Sequence, residues 1–422
     1  MEEGSSSDAD GTAAPAGGQQ RINVLEIIGN GIVGGMESYV RNLIRLLPAN
    51  QFRVTCLCPY ESAFTVALRR MNCTVYITPV TDDPTWRAIQ MAVEIVRSQN
   101  INLIHAHLPN AHVLAGIAGR LTKTPALATV HGMNVSTLEL SVSRITETPL
   151  IVVCQEAYAQ ALATSIPLER LTLIPNGVDT ETFRPDVSGE AFRQMINVPP
   201  GVPLVGFVGR LAWEKGPDKF LRVAERVHEQ RPDVHFAMVG EGPMEDKINL
   251  MLKRMRLSDY VHTVGLMTDT WNIYPAFDLL AQTSRHEGMP LTLLEAMACA
   301  RPVVAIGVGG VAELVEHGTS GLIISPREGA GLMNKFPDND WEGIASAVLA
   351  LLARPAQLER MGRAGRRRVE ELFDVRTSAK MTAELFQRLA HTYAPRRALA
   401  LSEYAARRSE ASPARKRLTK SE

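Results

Sequence analysis

The sequence predicts an α/β protein made of two doubly wound domains, each with a parallel β-sheet between layers of helices. Three observations lead to this fold class. The chain of 422 residues is too long for one ordinary hydrophobic core. Short β-branched runs alternate with segments of helical periodicity, which is typical of a parallel sheet with helices on both faces. The alternation stops near the middle of the chain and begins again, so it indicates two domains rather than one.

The first half of the chain contains a series of candidate strands. They are residues 22–28, 53–58, 74–77, 102–106, 126–130, 150–154 and 171–174. Between the first two strands, apolar residues recur at helical spacing from Met36 to Leu47, and Pro48 ends the pattern. We assign residues 21–195 to this N-terminal domain.

The second half repeats the alternation. Its candidate strands are residues 202–209, 234–240, 260–265, 278–282, 302–306 and 321–325. Residues 176–203 are rich in turn signals and lack periodicity, which indicates a linker, and a helical pattern from about 341 to 403 closes the chain. We assign residues 196–384 to the C-terminal domain. Ligands of open parallel sheets bind beyond the carboxyl ends of the strands, so two such domains can face one cleft.

Charge and composition exclude several classes of protein. The formal net charge is zero, which argues against a nucleic-acid-binding protein driven by bulk basicity. Residues 1–20 are acidic and residues 404–422 are basic, and both are predicted to be disordered tails. For the basic tail, weak peripheral attachment to an anionic membrane surface is the alternative.

The expected location is cytoplasmic. The N-terminus does not resemble a secretory signal, and no uncharged apolar run is long enough for a transmembrane segment. The five cysteines are scattered without metal-ligand spacing, which predicts buried, reduced thiols.

A glycine-rich loop, GNGIVGGMES, follows the first strand and opens a helix. Gly29, Gly31 and Gly34 match the G-x-G-x-x-G pattern of dinucleotide sites, but the second strand ends without the acidic residue that would bind a ribose. Glycines let a ligand approach the backbone, and the free amides of a helix start favour an anion. We therefore expect Gly34 and Gly35 to face a diphosphate; the alternative is a tight strand–helix turn without a ligand.

Two cations lie on a second glycine-bounded loop, GRLAWEKGPDKF, which also follows a strand. Cations at the carboxyl edge of a strand indicate an anionic ligand. A pyrophosphate would give Arg210 and Lys215 charge-assisted hydrogen bonds, each worth about 1.5–3 kcal/mol. The alternative is a surface ion pair among Arg210, Glu214 and Lys215.

Two glutamates lie eight residues apart in the segment SRHEGMPLTLLEAMACARPVVA. Glu287 precedes a helix predicted to begin near Pro290, and Glu295 lies about two turns into that helix. Their spacing of about 12 Å along the helix is too large for a shared proton. It suits one ligand held at two points, such as the sugar and the ribose of a nucleotide-sugar. The alternatives are a helix-dipole role for Glu287 and an internal salt bridge for Glu295.

Histidines lie at the ends of two candidate strands. His131, in TVHGMN, lies at the carboxyl edge that faces the cleft, although a single His-Gly is more often structural. His105 and His107 lie on one face of their strand, but no third ligand is visible in the sequence, so we predict no metal site there.

A short acidic run, Asp338-Asn339-Asp340, matches a D-x-D pattern that can hold Mg²⁺ against a diphosphate. It precedes a helical segment that begins at Trp341. We therefore interpret it as a helix N-cap rather than a metal site.

Together, these motifs resemble those of the family-4 retaining glycosyltransferases of GT-B fold, the glycosyl transferases group 1. The resemblance covers about residues 22–390. The motifs occur in the order of the family: Gly34-Gly35-x-Glu37, His131-Gly132, IPNGVD (174–179), the Gly-Arg-Leu…Glu-Lys-Gly loop (209–216), Glu287-x7-Glu295 and GGVAELVEHGTSGLI (309–323). The resemblance implies two Rossmann-like domains that face a central cleft, with the final helix, about 385–403, crossing back to the first domain.

The resemblance also implies a role for each motif residue. His131, Glu287, Arg210 and Lys215 would form the catalytic group, with His131 and Glu287 on the donor sugar and the two cations on the diphosphate. The backbone N–H groups of 289–291 would bind phosphate, Glu295 would hold the ribose, and Glu37 and His107 would lie on the acceptor side. The implied donor-binding residues are Gly34, Gly35, Gly209, Arg210, Lys215, Gly288, Met289, Pro290, Leu291 and Glu295.

The implied activity is that of a hexosyltransferase. A sugar would move with retained anomeric configuration from a nucleotide-sugar to a glycan, lipid-linked or small-molecule acceptor, as in cell-envelope or exopolysaccharide biosynthesis. No metal or other cofactor is expected. The alternatives are an NAD-dependent oxidoreductase, suggested by GNGIVG, a GT-B-type nucleotide-sugar epimerase and a non-catalytic scaffold. Two departures from the family pattern are an insertion at residues 327–336 and Cys154 in place of the usual Ser.

Overall fold

A computed structural model describes residues 21–32, 34–267, 269–326 and 339–392 of the chain. The predicted tails and the predicted insertion at residues 327–336 lie outside these ranges. Over the described ranges, the strands form two parallel sheets, one in each half of the chain, and helices connect consecutive strands. The predicted fold class, two doubly wound α/β domains, is confirmed.

The N-terminal sheet has seven described strands in the order β3-β2-β1-β4-β5-β6-β7, and all its pairings are parallel. The strands are β1 (Ile22–Ile28), β2 (Phe52–Cys58), β3 (Thr74–Ile77), β4 (Leu103–His107), β5 (Ala126–Val130), β6 (Leu150–Val152) and β7 (Leu171–Leu173). The helices that connect them are α1 (Gly35–Leu46), α2 (Ala63–Arg70), α3 (Trp86–Ser98), α4 (Pro109–Thr122), α5 (Thr137–Thr146) and α6 (Gln155–Ala163). The strand order reverses between β1 and β4, which is where doubly wound sheets bind ligands.

The C-terminal sheet has six described strands in the order β10-β9-β8-β11-β12-β13, again all parallel. The strands are β8 (Leu204–Val208), β9 (His235–Val239), β10 (Val261–Gly265), β11 (Leu279–Gln282), β12 (Val303–Ile306) and β13 (Gly321–Ile324). The helices are α7 (Glu190–Met195), α8 (Pro217–Gln230), α9 (Glu245–Met255), α10 (Leu291–Ala298), α11 (Val311–Leu314), α12 (Trp341–Leu352) and α13 (Pro355–Leu372). Here the order reverses between β8 and β11.

The central strands of both sheets are buried on both faces. All residues of β4, β11 and β12 are buried, and helices cover each sheet on both sides. The strands of a parallel sheet covered in this way appear in the sequence as continuous apolar runs rather than as alternating apolar and polar residues. This is why the strands could be recognised in the sequence.

Helix α7 departs from the sequence prediction, which treats residues 176–203 as an aperiodic linker and divides the chain after residue 195. Phe192 of α7 packs edge-on against Phe277, with the ring centroids 5.8 Å apart, in the core of the C-terminal domain. The helix therefore packs with the second domain. Its six residues are too few to show a helical period in the sequence.

The chain returns to the N-terminal domain at its end. Residues 375–392, here α14, are helical, so this helix begins at 375 rather than at about 385; residues 393–403 lie outside the described ranges. Phe386 of α14 is fully buried, and its ring packs edge-on against Phe52 at 6.2 Å and against His105 at 5.1 Å. This packing closes one face of the N-terminal sheet.

Asp340 occupies the N-cap position of α12, as the sequence predicts. Its side chain makes no capping hydrogen bond. The Nζ atom of Lys219 in α8 instead lies 2.8 and 2.9 Å from its two carboxylate oxygens. Both side chains are buried, and a buried ammonium needs a charged partner more than a helix end needs a cap. Asp338 lies outside the described residues.

None of the described helices combines the length and apolar character needed to cross a bilayer. The five cysteines are buried and carry free thiols, as the sequence predicts.

Candidate active site

The two domains meet at the loops that follow β5 and β11. A Cβ atom at Gly288 would lie 2.1 Å from the carbonyl oxygen of His131, so the backbones of the two domains touch at a position that only glycine fits. The N–H of Gly310 donates to the carbonyl oxygen of Gly288 at 2.6 Å. Gly309, with φ +55°, packs against the carbonyl oxygen of Glu287. The turn at Glu287 is thus supported within the C-terminal domain and touches the N-terminal domain.

Two further hydrogen bonds cross between the domains beside this turn. The side-chain amide of Asn176 donates to the carbonyl oxygen of Met289 at 2.8 Å. The N–H of Gln155, at the start of α6, donates to the carboxylate of Glu313 at 2.7 Å. These contacts fix the loop before α10 relative to the N-terminal sheet.

Lys215 and Glu287 form the charged centre of the site. Nζ of Lys215 lies 2.7 Å from Oε2 of Glu287, and the other carboxylate oxygen accepts from Ser284 Oγ at 2.7 Å and from Gln282 Nε2 at 3.2 Å. Glu287 is 6% exposed and Lys215 is 31% exposed. The lysine loop and the glutamate loop follow β8 and β11, which flank the point where the strand order reverses.

The two cations predicted from the second glycine-bounded loop do not lie in the same environment. Lys215 pairs with Glu287, so the alternative of a surface cluster with Glu214 is wrong for Lys215. Arg210 is exposed, one residue after Gly209, whose N–H donates to Val239. The structure therefore brings Lys215 into the charged centre, whereas Arg210 lies on the surface.

Helix α10 begins at Leu291, with Pro290 as its N-cap residue. Because proline has no N–H group, only Met289 and Leu291 of residues 289–291 can donate from the backbone, which corrects the prediction of three donors. Across the domain boundary, a Cβ atom at Gly35 would lie 3.8 Å from Cδ1 of Leu291. The first residues of α1 and α10 therefore face each other.

Glu295 lies in α10, and its carboxylate accepts a hydrogen bond from the hydroxyl of Tyr274. The partner is thus a buried hydroxyl and not the cation that an internal salt bridge would need. Burial raises the pKa of Glu295 to about 7, and the Tyr274 hydrogen bond only partly opposes that rise. Glu295 can therefore be neutral or ionised near neutral pH.

The glycine-rich loop after β1 is held by the hydroxyl of Tyr60, which donates to Asn30 Oδ1 at 2.6 Å and accepts from the Gly31 N–H at 3.1 Å. Gly34 is the N-cap residue of α1. Glu37, in the first turn, is 5% exposed, and its carboxylate lies beside Gly34. Burial raises the pKa of Glu37 to about 7.

A chain of buried polar side chains leads from β1 to His131. Oε2 of Glu26 lies 2.8 Å from Nε2 of His107, and Nδ1 of His107 lies 3.0 Å from Nε2 of His131. On the other side, Nδ1 of His105 lies 2.9 Å from the same Glu26 oxygen. Parallel pairing explains this cluster, because β1 and β4 are neighbours and Glu26 lies opposite His105.

Two expectations for these histidines need correction. His107 is fully buried and both its ring nitrogens have partners within the protein, so it cannot contact an acceptor in this structure. The third group beside His105 and His107, which no sequence motif predicts, is Glu26. The three side chains are close enough together to hold a metal ion. A charged residue inside the apolar strand INVLEII was the available signal.

Burial and the charges of neighbouring groups set the protonation states of Glu26, His107 and His131. Burial alone would raise the pKa of Glu26, but the adjacent His105 and the hydrogen bond from His107 lower it to about 2. Burial lowers the pKa of His107 to about 4, with His105 adding to the effect. Burial also lowers the pKa of His131 well below its usual value. At neutral pH, Glu26 is therefore ionised, and His107 and His131 are neutral.

Comparison with known proteins places this geometry in a family. The family model described as Glycosyltransferase Family 4 matches residues 33–182. The family model described as Glycosyl transferases group 1 matches residues 189–368. Between them, the two matches cover both domains.

Individual relatives of this chain are named as glycosyltransferases as well. The D-inositol 3-phosphate glycosyltransferase of Pseudarthrobacter chlorophenolicus is 27% identical over 84% of this chain and 90% of that protein. The 2-deoxystreptamine N-acetyl-D-glucosaminyltransferase of Streptomyces fradiae is 30% identical over 61% of this chain and 68% of that protein. Some matches are shorter: this chain covers 42% of the D-inositol 3-phosphate glycosyltransferase of Segniliparus rotundus, at 32% identity.

Among solved structures, Anabaena HepE in complex with UDP-glucose has a TM-score of 0.75 and 22% identity over 87% of this chain and all of that chain. At this identity the likeness shows a shared fold. The family matches, the relatives and the fold agree with the ordered motifs, and the chain therefore belongs to glycosyltransferase family 4, the group 1 glycosyltransferases of GT-B fold.

Proposed function

We propose that this protein transfers a hexose-type sugar from a nucleoside diphosphate sugar to a glycan, lipid-linked or small-molecule acceptor in the cleft between its domains. One observation carries the proposal. The Lys215–Glu287 ion pair of the C-terminal domain lies one residue from Gly288, whose backbone touches His131 of the N-terminal domain. A cation, a buried carboxylate and the loop that carries an uncharged histidine thus meet at one place, and there the carboxylate would bind the sugar.

The diphosphate of the donor would bind at the start of α10. The Met289 and Leu291 amides are donors at a helix N-terminus, which favours an anion. Lys215 supplies a full positive charge, with Arg210 as a second cation on the same loop. Gly34 and Gly35, at the start of α1, would face the diphosphate from the other domain, and Gly209 would leave room for it.

The sugar and the nucleoside would occupy the two ends of the same site. Glu287 already accepts three hydrogen bonds, and its carboxylate would exchange Lys215 for sugar hydroxyls when a diphosphate draws the ammonium away. Glu295 would accept hydrogen bonds from the ribose. Glu295 lies in α10 and Glu287 lies just before it, so one short segment would position the donor at two points.

The chemical step needs stabilisation of a leaving diphosphate. As the bond to the anomeric carbon breaks, negative charge grows on the phosphate, where Lys215 and the α10 amides would stabilise it. We propose that the acceptor attacks from the face that the diphosphate leaves and that the phosphate takes its proton, which gives retention. In this scheme the protein's own cations supply the charge that a divalent metal would otherwise supply, so transfer is metal-independent. Glu37, with its raised pKa, would lie on the acceptor side.

The alternatives predict different products. An NAD-dependent oxidoreductase is disfavoured, because β2 ends at Cys58 without an acidic residue for a ribose and the family is that of glycosyltransferases. A nucleotide-sugar epimerase would change the donor in the absence of an acceptor.

Relatives named for phosphatidylinositol mannoside and diphosphoundecaprenol acceptors support a glycolipid of the cell envelope as the acceptor class.

The experiment that tests the proposal is a donor screen read by mass spectrometry. UDP- and GDP-sugars and NADH are each incubated with the protein, with and without a mixture of glycan and lipid-linked acceptors. Transfer or slow hydrolysis of one nucleotide-sugar, unaffected by EDTA, is expected, and NMR of the product gives the anomeric configuration. Binding of NADH with no change in any nucleotide-sugar would overturn the proposal.

A further inference from the structure

With Glu26 ionised and His107 neutral, the Glu26–His107–His131 contacts allow one arrangement of protons that satisfies each of them. An ionised carboxylate accepts hydrogen bonds and cannot donate, so the Nε2 of His107, 2.8 Å from Glu26, must carry a hydrogen. His107 is neutral, which leaves its Nδ1 as an acceptor. The Nε2 of His131, 3.0 Å away, must then carry the hydrogen of that contact. Nδ1 of His131 is left without a proton.

The surroundings hold this arrangement in place. The ring of Tyr39 packs edge-on against His107 at 5.8 Å and against His131 at 5.0 Å. His105 reaches Glu26 from the side, and its Nε2 lies 2.8 Å from the hydroxyl of Thr129. No hydrogen-bond partner for Nδ1 of His131 is found among the residues that the structure describes. His131 itself is only partly buried and its backbone touches Gly288.

We propose that Glu26 and His107 are positioning residues that fix His131 as its Nε2–H tautomer and so present Nδ1 to the cleft as a hydrogen-bond acceptor for a donor-sugar hydroxyl. This inference rests on the proposed function for the identity of its ligand. Glu26 and His107 would touch no substrate themselves, but they would decide which ligand group His131 can recognise. The unprotonated Nδ1 of His131 would accept a hydrogen bond from a hydroxyl, and it would not bind a carbonyl or phosphate oxygen, which can only accept.

The tautomer itself can be measured in the full-length protein without any substitution. In ¹⁵N-histidine-labelled protein near pH 7.5, the one- and two-bond couplings of the His131 ring distinguish Nε2–H from Nδ1–H. We expect a neutral Nε2–H ring for both His131 and His107. An Nδ1–H or doubly protonated His131 would overturn the proposal, whatever the protein transfers.

Substitutions then test the positioning role. In Glu26→Gln, the neutral amide can donate as well as accept, so the Nδ1–H tautomer of His131 should become populated. We expect kcat/KM for the nucleotide-sugar to fall about tenfold to 100-fold, by analogy with other groups that orient a ligand-binding histidine. The Kd for UDP or GDP alone should not change, because these nucleotides lack the sugar.

Two variants of His107 distinguish a loss of the positioning role from a loss of folding. His107→Leu should lose the His131 tautomer signature and the same activity, and His107→Gln should restore part of both, since its amide can donate to Glu26 and accept from His131. His112→Leu is the matched control. His112 is also fully buried with its pKa lowered to about 4 by burial, and it makes no side-chain hydrogen bond in the described part of the chain.

The outcomes separate the two proposals. Equal losses in His107→Leu and His112→Leu, or wild-type kcat/KM in Glu26→Gln, would overturn the positioning role. If wild-type protein binds no nucleoside diphosphate and changes no nucleotide-sugar, the proposed function fails, and the tautomer measurement still reports on the histidine chain by itself.

Discussion

Nζ of Lys215 lies 2.7 Å from Oε2 of Glu287, and this contact joins the loops after β8 and β11 across the point where the strand order of the C-terminal sheet reverses. Glu287 is almost fully buried, so the lysine neutralises a charge that would otherwise be costly. An arriving diphosphate would compete for the same ammonium. The pair is therefore the part of the site most sensitive to the ligand.

Lys215→Ala should abolish most activity while the protein stays folded. Removing a cation that stabilises leaving-group charge is expected to lower kcat/KM by roughly 100-fold to 1,000-fold. Affinity for UDP or GDP, measured by calorimetry, should fall as well, and circular dichroism should be unchanged because Ser284 and Gln282 still donate to Glu287. The control is Lys247→Ala, which removes an exposed lysine of the same domain. Normal turnover in Lys215→Ala would contradict the proposed site.

Gly288→Ala should disrupt the contact between the domains. A methyl group there would lie 2.1 Å from the His131 carbonyl oxygen, so the two backbones must separate by about an ångström. Small misplacements at a catalytic site can cost about 100-fold in rate, and we expect kcat to fall by that order. Gly365→Ala in α13 is the control, because the added methyl would meet its nearest atom at an ordinary 3.4 Å.

Steady-state kinetics with the donor found in the screen provides the measurement. Small-angle scattering with and without nucleotide would show whether the domains of Gly288→Ala still come together. Unchanged kcat in Gly288→Ala, with Gly365→Ala also unchanged, would mean that this contact is not part of the active arrangement.

Much of the fold could be predicted because its physical cause is local. Parallel strands such as β1 and β11 are buried on both faces, so each appears as a short apolar run bounded by turns. Helix α7 could not be found, since six residues show less than two turns of periodicity. Helix α14 begins at 375, about ten residues before the predicted start, and residues 375–384 carry no distinct signal that separates them from α13.

The site could be predicted only where a motif lies in one stretch of sequence. The pairing of Lys215 with Glu287 depends on which strands are neighbours, and the pairing of Glu295 with Tyr274 depends on how α10 packs. One sequence gives neither. The predicted acceptor-side position of His107 is wrong for the same reason. Its burial follows from β4 lying beside β1, which brings Glu26 against it.

Glu295→Gln should change how stability depends on pH. Burial raises the native-state pKa of Glu295 to about 7 from 4.5, so its contribution to stability is complete below about pH 4.5 and is lost as the pH rises through 7. The variant cannot ionise, and its amide can still accept from Tyr274. Its Tm relative to wild type should therefore rise between about pH 5 and pH 8, measured by calorimetry without ligand. Glu316→Gln, at an exposed position, controls for the lost charge. A Tm difference between Glu295→Gln and wild type that does not change with pH would contradict the raised pKa.

His112→Leu should make the protein more resistant to acid. Burial lowers the native pKa of His112 to about 4 from 6.5, so the native state excludes a proton that the unfolded chain binds. Its contribution to stability is present above about pH 6.5 and is lost as the pH falls towards 4, a change worth up to ~3 kcal/mol for this shift. Urea unfolding at about pH 7.5 and pH 4.5 gives the free energy of unfolding for each protein. The loss on acidification should be smaller in His112→Leu than in wild type, whereas His391→Leu, at an exposed position of α14, should behave as wild type does. An equal loss in all three proteins would show that His112 binds its proton as readily in the folded chain as in the unfolded one.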